Sequence, residues 1–142
     1  MILRAAMAPF HEVTVLRDGR IVRLWRSRRP FADASELRME RRRLVDELNA
    51  IGRAGRGLLI DSRLAPHSTE SQLEDEFARY RREVMVGYDR VASLVRTKVA
   101  ILQVNRLLTG QASEFQAFDD EAEAIDYLLH GPPPKRPSRA PS

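Results

Sequence analysis

The sequence predicts an α/β domain: a mixed β-sheet of about five strands, opened by a β-hairpin and covered by helices mainly on one face, in the order ββαβαβαβα. Three observations predict it. Asp18-Gly19 joins two alternating apolar segments, a strong two-residue hairpin signal. Gly57-Leu58-Leu59-Ile60-Asp61 is short and continuously apolar, as in a strand covered on both faces. Beyond the hairpin, stretches with helical apolar spacing alternate with strand-like runs, bounded by capping residues and glycines.

Phe10 to Arg17 reads as the first strand, with Val13 and Val15 facing away from Glu12 and Thr14. Arg20 to Arg26 returns, so that Val22 and Leu24 join the buried face while Arg23 and Trp25 take the other. Asp33-Ala34-Ser35-Glu36 has capping-box spacing with Asp33 as N-cap. Leu37, Leu44, Val45, Leu48 and Ile51 then share a helical face, the run Arg41-Arg42-Arg43 lies mostly on the remaining circumference, and Gly52 stops the helix. After the Gly57 strand, Leu73, Phe77, Tyr80 and Val84 form the next helical stripe, which Gly87 closes. Val91 to Arg96 is a strand. Thr97 caps a helix in which Ile101, Val104 and Leu108 share a face, ended by Gly110. Glu114 to Phe118 is the last strand, and Asp119 or Asp120 caps a final helix through Leu129, whose first turn is acidic as the helix dipole favours.

At 142 residues the chain fits one domain, expected over residues 10–130, with an N-terminal arm at 1–9 and a disordered Pro/Arg-rich tail at 131–142. The absence of cysteine excludes disulfides, cysteine zinc sites and thiol catalysis, and is compatible with a reducing compartment. His11, His67 and His130 offer no i, i+4 pair, so neither a metal nor a cofactor is expected. No apolar run is long enough to span a bilayer, and the first ten residues make a poor secretory leader. A cytoplasmic location is the simplest reading. The formal charge of +4 invites nucleic acid, but Lys135, Arg136 and Arg139 in the tail carry most of it. All but two of the 24 basic residues are arginine, a skew that genomic base composition also produces.

The element order, the Asp18-Gly19 hairpin, Gly57-Leu58-Leu59-Ile60-Asp61-Ser62-Arg63, Arg90-Val91-Ala92-Ser93-Leu94-Val95 and the closing Phe118 to Leu128 together resemble the STAS-like domains. These include bacterial anti-sigma-factor antagonists, cytoplasmic domains of sulfate transporters and the bacterial STAS/SEC14 group. The resemblance covers Phe10 to Leu129. It implies a non-enzymatic signalling or interaction domain. In the antagonists, the loop after the third strand presents a phosphorylatable serine within Asp-Ser-Ser/Thr-Gly-Leu. The matching region is His67-Ser68-Thr69-Glu70-Ser71, where the preceding acid and the following glycine are missing.

The candidate ligand or regulatory loop comprises Asp61, Ser62, Arg63, His67, Ser68 and Thr69, with Thr97 and Lys98 at the next strand end. Ligands in open α/β sheets gather at the carboxyl ends of strands beside helix N-termini. Each residue also has a plain structural reading. Asp61 accepts loop N–H groups, Arg63 pairs with an acid, and the hydroxyls cap helices. The candidate partner face is Glu12, Thr14, Leu16, Arg23 and Trp25, opposite the helices.

Three functional readings follow. The first is a regulatory or interaction domain that binds a protein partner or a second copy. The second is a carrier of a small apolar or anionic ligand at the strand carboxyl edge, near Asp61, Arg63 and Thr97. The third and weakest is an arginine-mediated nucleic-acid binder. An exposed apolar patch favours the first, an enclosed apolar cavity the second, and steep salt dependence the third.

Overall fold

The computed structural model describes residues 8–66, 73–108 and 114–132. Nine elements follow in the expected order: β1 (His11–Leu16), β2 (Ile21–Arg26), α1 (Ala34–Ile51), β3 (Gly57–Asp61), α2 (Glu74–Met85), β4 (Arg90–Leu94), α3 (Lys98–Leu108), β5 (Phe115–Phe118) and α4 (Glu121–His130). The strands form one sheet in the order β1-β2-β3-β4-β5. β1 and β2 are antiparallel, and the remaining pairs are parallel.

Local chemistry explains most boundaries. Arg17, Asp18 and Gly19 all take positive φ, 55°, 55° and 86°, and the Arg20 N–H closes the turn onto the Arg17 carbonyl beyond the last strand pair, Leu16 and Ile21. The Asp33 carboxylate accepts from the Glu36 N–H at 2.8 Å, while the Glu36 side chain reaches back to the Ala32 N–H. Gly52, at φ 97°, ends α1 with its N–H on the Leu48 carbonyl. Asp120 caps α4 through the Ala122 N–H.

Helices α1, α2 and α3 each connect neighbouring parallel strands laid down in one direction. Right-handed crossovers then place all three on one face. There Val22, Leu24, Leu58 and Val91 of the sheet pack with Leu44 and Leu48 of α1, Val84 and Met85 of α2, and Val104 of α3. α4 connects no strands and folds back onto the other face, where Ala124, Tyr127 and Leu128 cover Ile21, Leu59, Ala92 and Leu94. Gly57 allows that approach: a Cβ there would lie 3.1 Å from the Leu128 side chain. A third cluster of Phe10, Phe31, Leu37 and Leu73 closes the carboxyl end of the first face.

Three local expectations are corrected. Arg41 is buried rather than on the outer circumference, because α2 packs alongside α1 and Glu83 accepts its guanidinium at 2.7 Å. Val15 pairs with Val22 in the register that puts it on the first face, yet it is 47% exposed, because β1 is an edge strand. β4 stops at Leu94, two residues short of Arg96.

Candidate functional site

The carboxyl ends of β2 and β3 present different chemistry on the two faces of the sheet. On the α4 face, Asp61 is buried and surrounded by arginines. Arg23 donates to its Oδ2, and Arg63 donates through Nε to Oδ1 at 3.0 Å and through Nη2 to Oδ2 at 2.9 Å. The Arg63 N–H adds a bond to Oδ1, and Arg63 Nη2 also reaches Glu121 Oε1 of α4 at 3.2 Å. Burial opposes the charge on Asp61. The Arg63 hydrogen bonds and the nearby guanidinium charges outweigh it and hold the carboxyl below its ordinary range. Two acids and two arginines thus tie β2, β3 and α4 together, with the Asp61 carboxylate spent on its neighbours.

Thr97 lies exposed at the end of β4, where its hydroxyl accepts from the Ala100 N–H at 3.0 Å. It is a helix cap. Lys98 beside it is exposed. Arg63, committed to Asp61 and Glu121, joins neither of them in a hydrogen bond. His67, Ser68 and Thr69 lie outside the described residues, as do residues 1–7 of the expected arm at 1–9 and residues 133–142 of the expected tail at 131–142.

The expected partner face is divided. Leu16 packs against the core that α4 closes, and Arg23 is bound to Asp61. Glu12 and Thr14 remain exposed, and Trp25 is half-buried opposite Glu12.

On the first face the structure gathers a cluster that sequence reasoning missed. His11 is buried. Its Nδ1 lies 2.7 Å from Glu40 Oε2 of α1, and its Nε2 lies 2.7 Å from the Tyr80 hydroxyl of α2. Arg43 grips Glu40 with two parallel bonds of 2.8 and 2.9 Å. Glu40 feels the opposing effect of burial, yet bonds from Arg43 and His11 bring its pKa down to about 2. Burial pushes the His11 pKa down despite the attraction of Glu40. The consistent state is a neutral imidazole that donates from Nδ1 to the Glu40 carboxylate and accepts from Tyr80 at Nε2. Signals were present: His11 has the inward parity of Val13, and Glu40 falls three residues after Leu37 on the apolar face of α1.

Beside this cluster lies a cavity of about 210 Å³. It sits between the carboxyl ends of β3 and β4 and the helices α2 and α3. Its apolar walls are Phe31, Ile60, Phe77, Val84, Met85 and Val104, and its polar lining is Arg26, Ser62, Tyr80, Arg81 and Ser93. Of the expected loop residues, Ser62 reaches this cavity, whereas Asp61 and Arg63 belong to the opposite face.

The two arginines differ. Arg26 donates to the Ser27 carbonyl at 2.8 Å and stacks 4.7 Å above the Phe31 ring. Arg81 has its Nε closed off from solvent with no hydrogen-bond partner. Burial holds both guanidinium groups below their ordinary pKa. Among the described residues, no carboxylate lines the cavity.

The architecture has a counterpart among solved structures. An uncharacterised protein of the DUF3478 family from Shewanella loihica PV-4, with a SpoIIAA-like fold, superposes with a TM-score of 0.64 at 14% identity, over 83% of this chain and 91% of that one. The chain therefore has the STAS-like fold of SpoIIAA, and at this identity the likeness extends to the fold alone. No family model matches the sequence, and no curated protein is significantly similar to it. Among the described residues, no helix is long and apolar enough to cross a membrane, and no three metal-ligating side chains gather.

Proposed function

We propose that this STAS-like domain is a non-enzymatic binding module for a compact small molecule with an apolar body. The observation that carries this reading is the apolar-walled cavity of about 210 Å³ at the carboxyl ends of β3 and β4. Ligands of open α/β sheets bind at that edge, in apolar pockets with a few convergent polar groups. Binding rather than catalysis is supported by the two polar clusters. Asp61 is held by Arg23 and Arg63, and His11 by Glu40 and Tyr80, so each group stabilises its neighbours. The arginines also serve the fold. Arg53, for example, donates to the carbonyls of Glu83, Val84 and Val86 at the end of α2, which weighs against nucleic acid.

The test is titration with 1-octanol, a neutral apolar probe, followed by amide NMR of wild type and of Ala65→Trp, Ala65 being a small residue of the cavity lining. Shifts at Ile60, Ser93 and Val104 that vanish when the tryptophan fills the space are expected. A spectrum that does not move in wild type would reject the cavity as a ligand site.

A second reading is favoured by one observation: Glu12 and Thr14 are exposed beside half-buried Trp25 at an edge strand whose outer backbone row is unpaired within the sheet. A protein partner or a second copy could add there. Light scattering on wild type and Trp25→Ala tests self-association; a monomer in both removes the homodimer.

A further inference from the structure

From the lining of the cavity we infer the class of its ligand: a monocarboxylate with a short apolar body, its charged end accepting from Nε of Arg81. This deepens the binding reading above and rests on it. Four observations converge. Arg81 lines the cavity, and its Nε is sealed from water without an acceptor. The guanidinium as a whole is only partly buried, but a donor atom closed off without an acceptor is unfavourable, and an acceptor entering the cavity would complete it. Among the described residues the lining supplies Arg26 as a second positive charge and no carboxylate, and Glu74 attracts Arg81 through its charge without accepting from Nε, so an anion is the acceptor this pair of cations favours. Arg26 is already bonded to the Ser27 carbonyl and stacked on Phe31, which leaves Arg81 as the group with unspent capacity.

The placement of Arg81 is built into the helix. Phe77, Tyr80, Arg81 and Val84 fall at i, i+3, i+4 and i+7, so the cation stands on the apolar stripe of α2. The remaining wall is aliphatic and aromatic, which asks for a hydrocarbon body. Size limits that body. A dry cavity of about 150 Å³ holds benzene, so the present one suits roughly eight to ten non-hydrogen atoms. Inorganic phosphate would leave the apolar walls unmatched, and a two-chain lipid exceeds the space. A chain of about eight carbons ending in a carboxylate fits both limits.

The experiment compares sodium octanoate with 1-octanol by calorimetry on wild type and Arg81→Met, with the Arg81 Nε–H resonance followed by NMR. The expected result is octanoate binding roughly ten- to hundred-fold more tightly than octanol, as a charge-assisted hydrogen bond provides. Arg81→Met should abolish that preference while octanol affinity persists, and the Arg81 Nε–H signal should move with octanoate alone. Equal affinities in wild type, or a preference that survives Arg81→Met, would overturn the carboxylate inference and leave the cavity reading standing. Failure of both probes to bind overturns the cavity reading itself. If Arg81→Met does not fold, the two wild-type titrations and the Nε–H signal still decide the question.

Discussion

The Tyr80 hydroxyl and Nε2 of His11 are 2.7 Å apart, and their rings stack at 5.6 Å between centroids. This contact joins α2 to β1, the edge strand, in a buried cluster that α1 completes through Glu40. It suits a neutral histidine that accepts at Nε2, and the burial of the ring makes stability depend on pH. The folded His11 resists protonation because burial penalises its charged form, while in the unfolded chain it titrates near 6.5. Below that value the unfolded state binds the additional proton, and stability falls as pH falls. Glu40 acts lower on the scale. It stays ionised when folded, with a pKa of about 2, against 4.5 unfolded, so its contribution is lost on acidification from about pH 5 towards 2. Urea denaturation at pH 7.5 and 5.5 should show lower stability at 5.5, and His11→Gln should flatten that difference. A variant with the wild-type slope would show that His11 is not the titrating group.

Tyr80→Phe isolates the hydroxyl from the ring. The phenyl ring retains its packing against Phe77 and the core of the first face, while Nε2 of His11 loses its donor. An unpaired buried acceptor destabilises by about 1–3 kcal/mol. The expected outcome is a loss of that size at pH 7.5 in chemical denaturation. A change below about 0.5 kcal/mol would mean that the hydrogen bond contributes little beyond what water supplies to the unfolded chain.

The local code of this chain was legible, and its long-range polar chemistry was not. Asp18-Gly19, Asp33, Gly52 and the run from Gly57 to Asp61 each act through their own backbone or nearest neighbours, so the hairpin, the caps and the central strand could be read directly. Arg41 looked solvent-facing because periodicity describes one helix, and only the packing of α2 against it supplies Glu83. His11, Glu40 and Tyr80 come from a strand and two helices, and their meeting is a property of the assembled sheet. For the same reason the sequence could not show that neighbouring residues of the strand-end loop serve different faces of the sheet. Ser62 reaches the cavity, while Asp61 and Arg63 on either side of it turn towards α4. Strand parity explains the split: adjacent side chains at a strand end point to opposite faces.

Gly57 matters through space rather than through its backbone angles. A Cβ would stand 3.1 Å from both Cβ and Cδ2 of Leu128. Gly57→Ala should therefore force α4 away from β3 and destabilise by about 1–3 kcal/mol, as overpacked cores do. Leu128→Ala alone also destabilises, by opening a cavity. In the double variant the contact with Cδ2 is removed while that with the Leu128 Cβ persists, so relief is partial and the loss should be smaller than the sum of the single losses by about 1 kcal/mol. Additive losses in a double-mutant cycle would show that α4 has already shifted to make room.

Asp61→Asn separates the two faces of the sheet. The substitution keeps the shape of the side chain but removes the charge that both Arg23 and Arg63 share. Glu121 remains, accepting from Arg63 at 3.2 Å and paired by charge with Arg23 at 3.6 Å, and it is itself partly exposed. Partial compensation predicts a loss of about 2 kcal/mol rather than the larger penalty of a fully orphaned buried charge. The pH dependence should change too. Because the folded Asp61 pKa is depressed, wild type gains stability from this carboxylate above the unfolded value near 3.8 and loses it as pH falls towards the folded value. The asparagine variant lacks that dependence, so the difference between the two proteins should shrink on acidification. Octanol titration supplies the decisive control. Asp61 faces α4 while the cavity opens on the side of α2 and α3, so a folded Asp61→Asn protein should bind the probe as wild type does. Loss of binding in a folded variant would place the ligand on the α4 face, against the position assigned by the cavity.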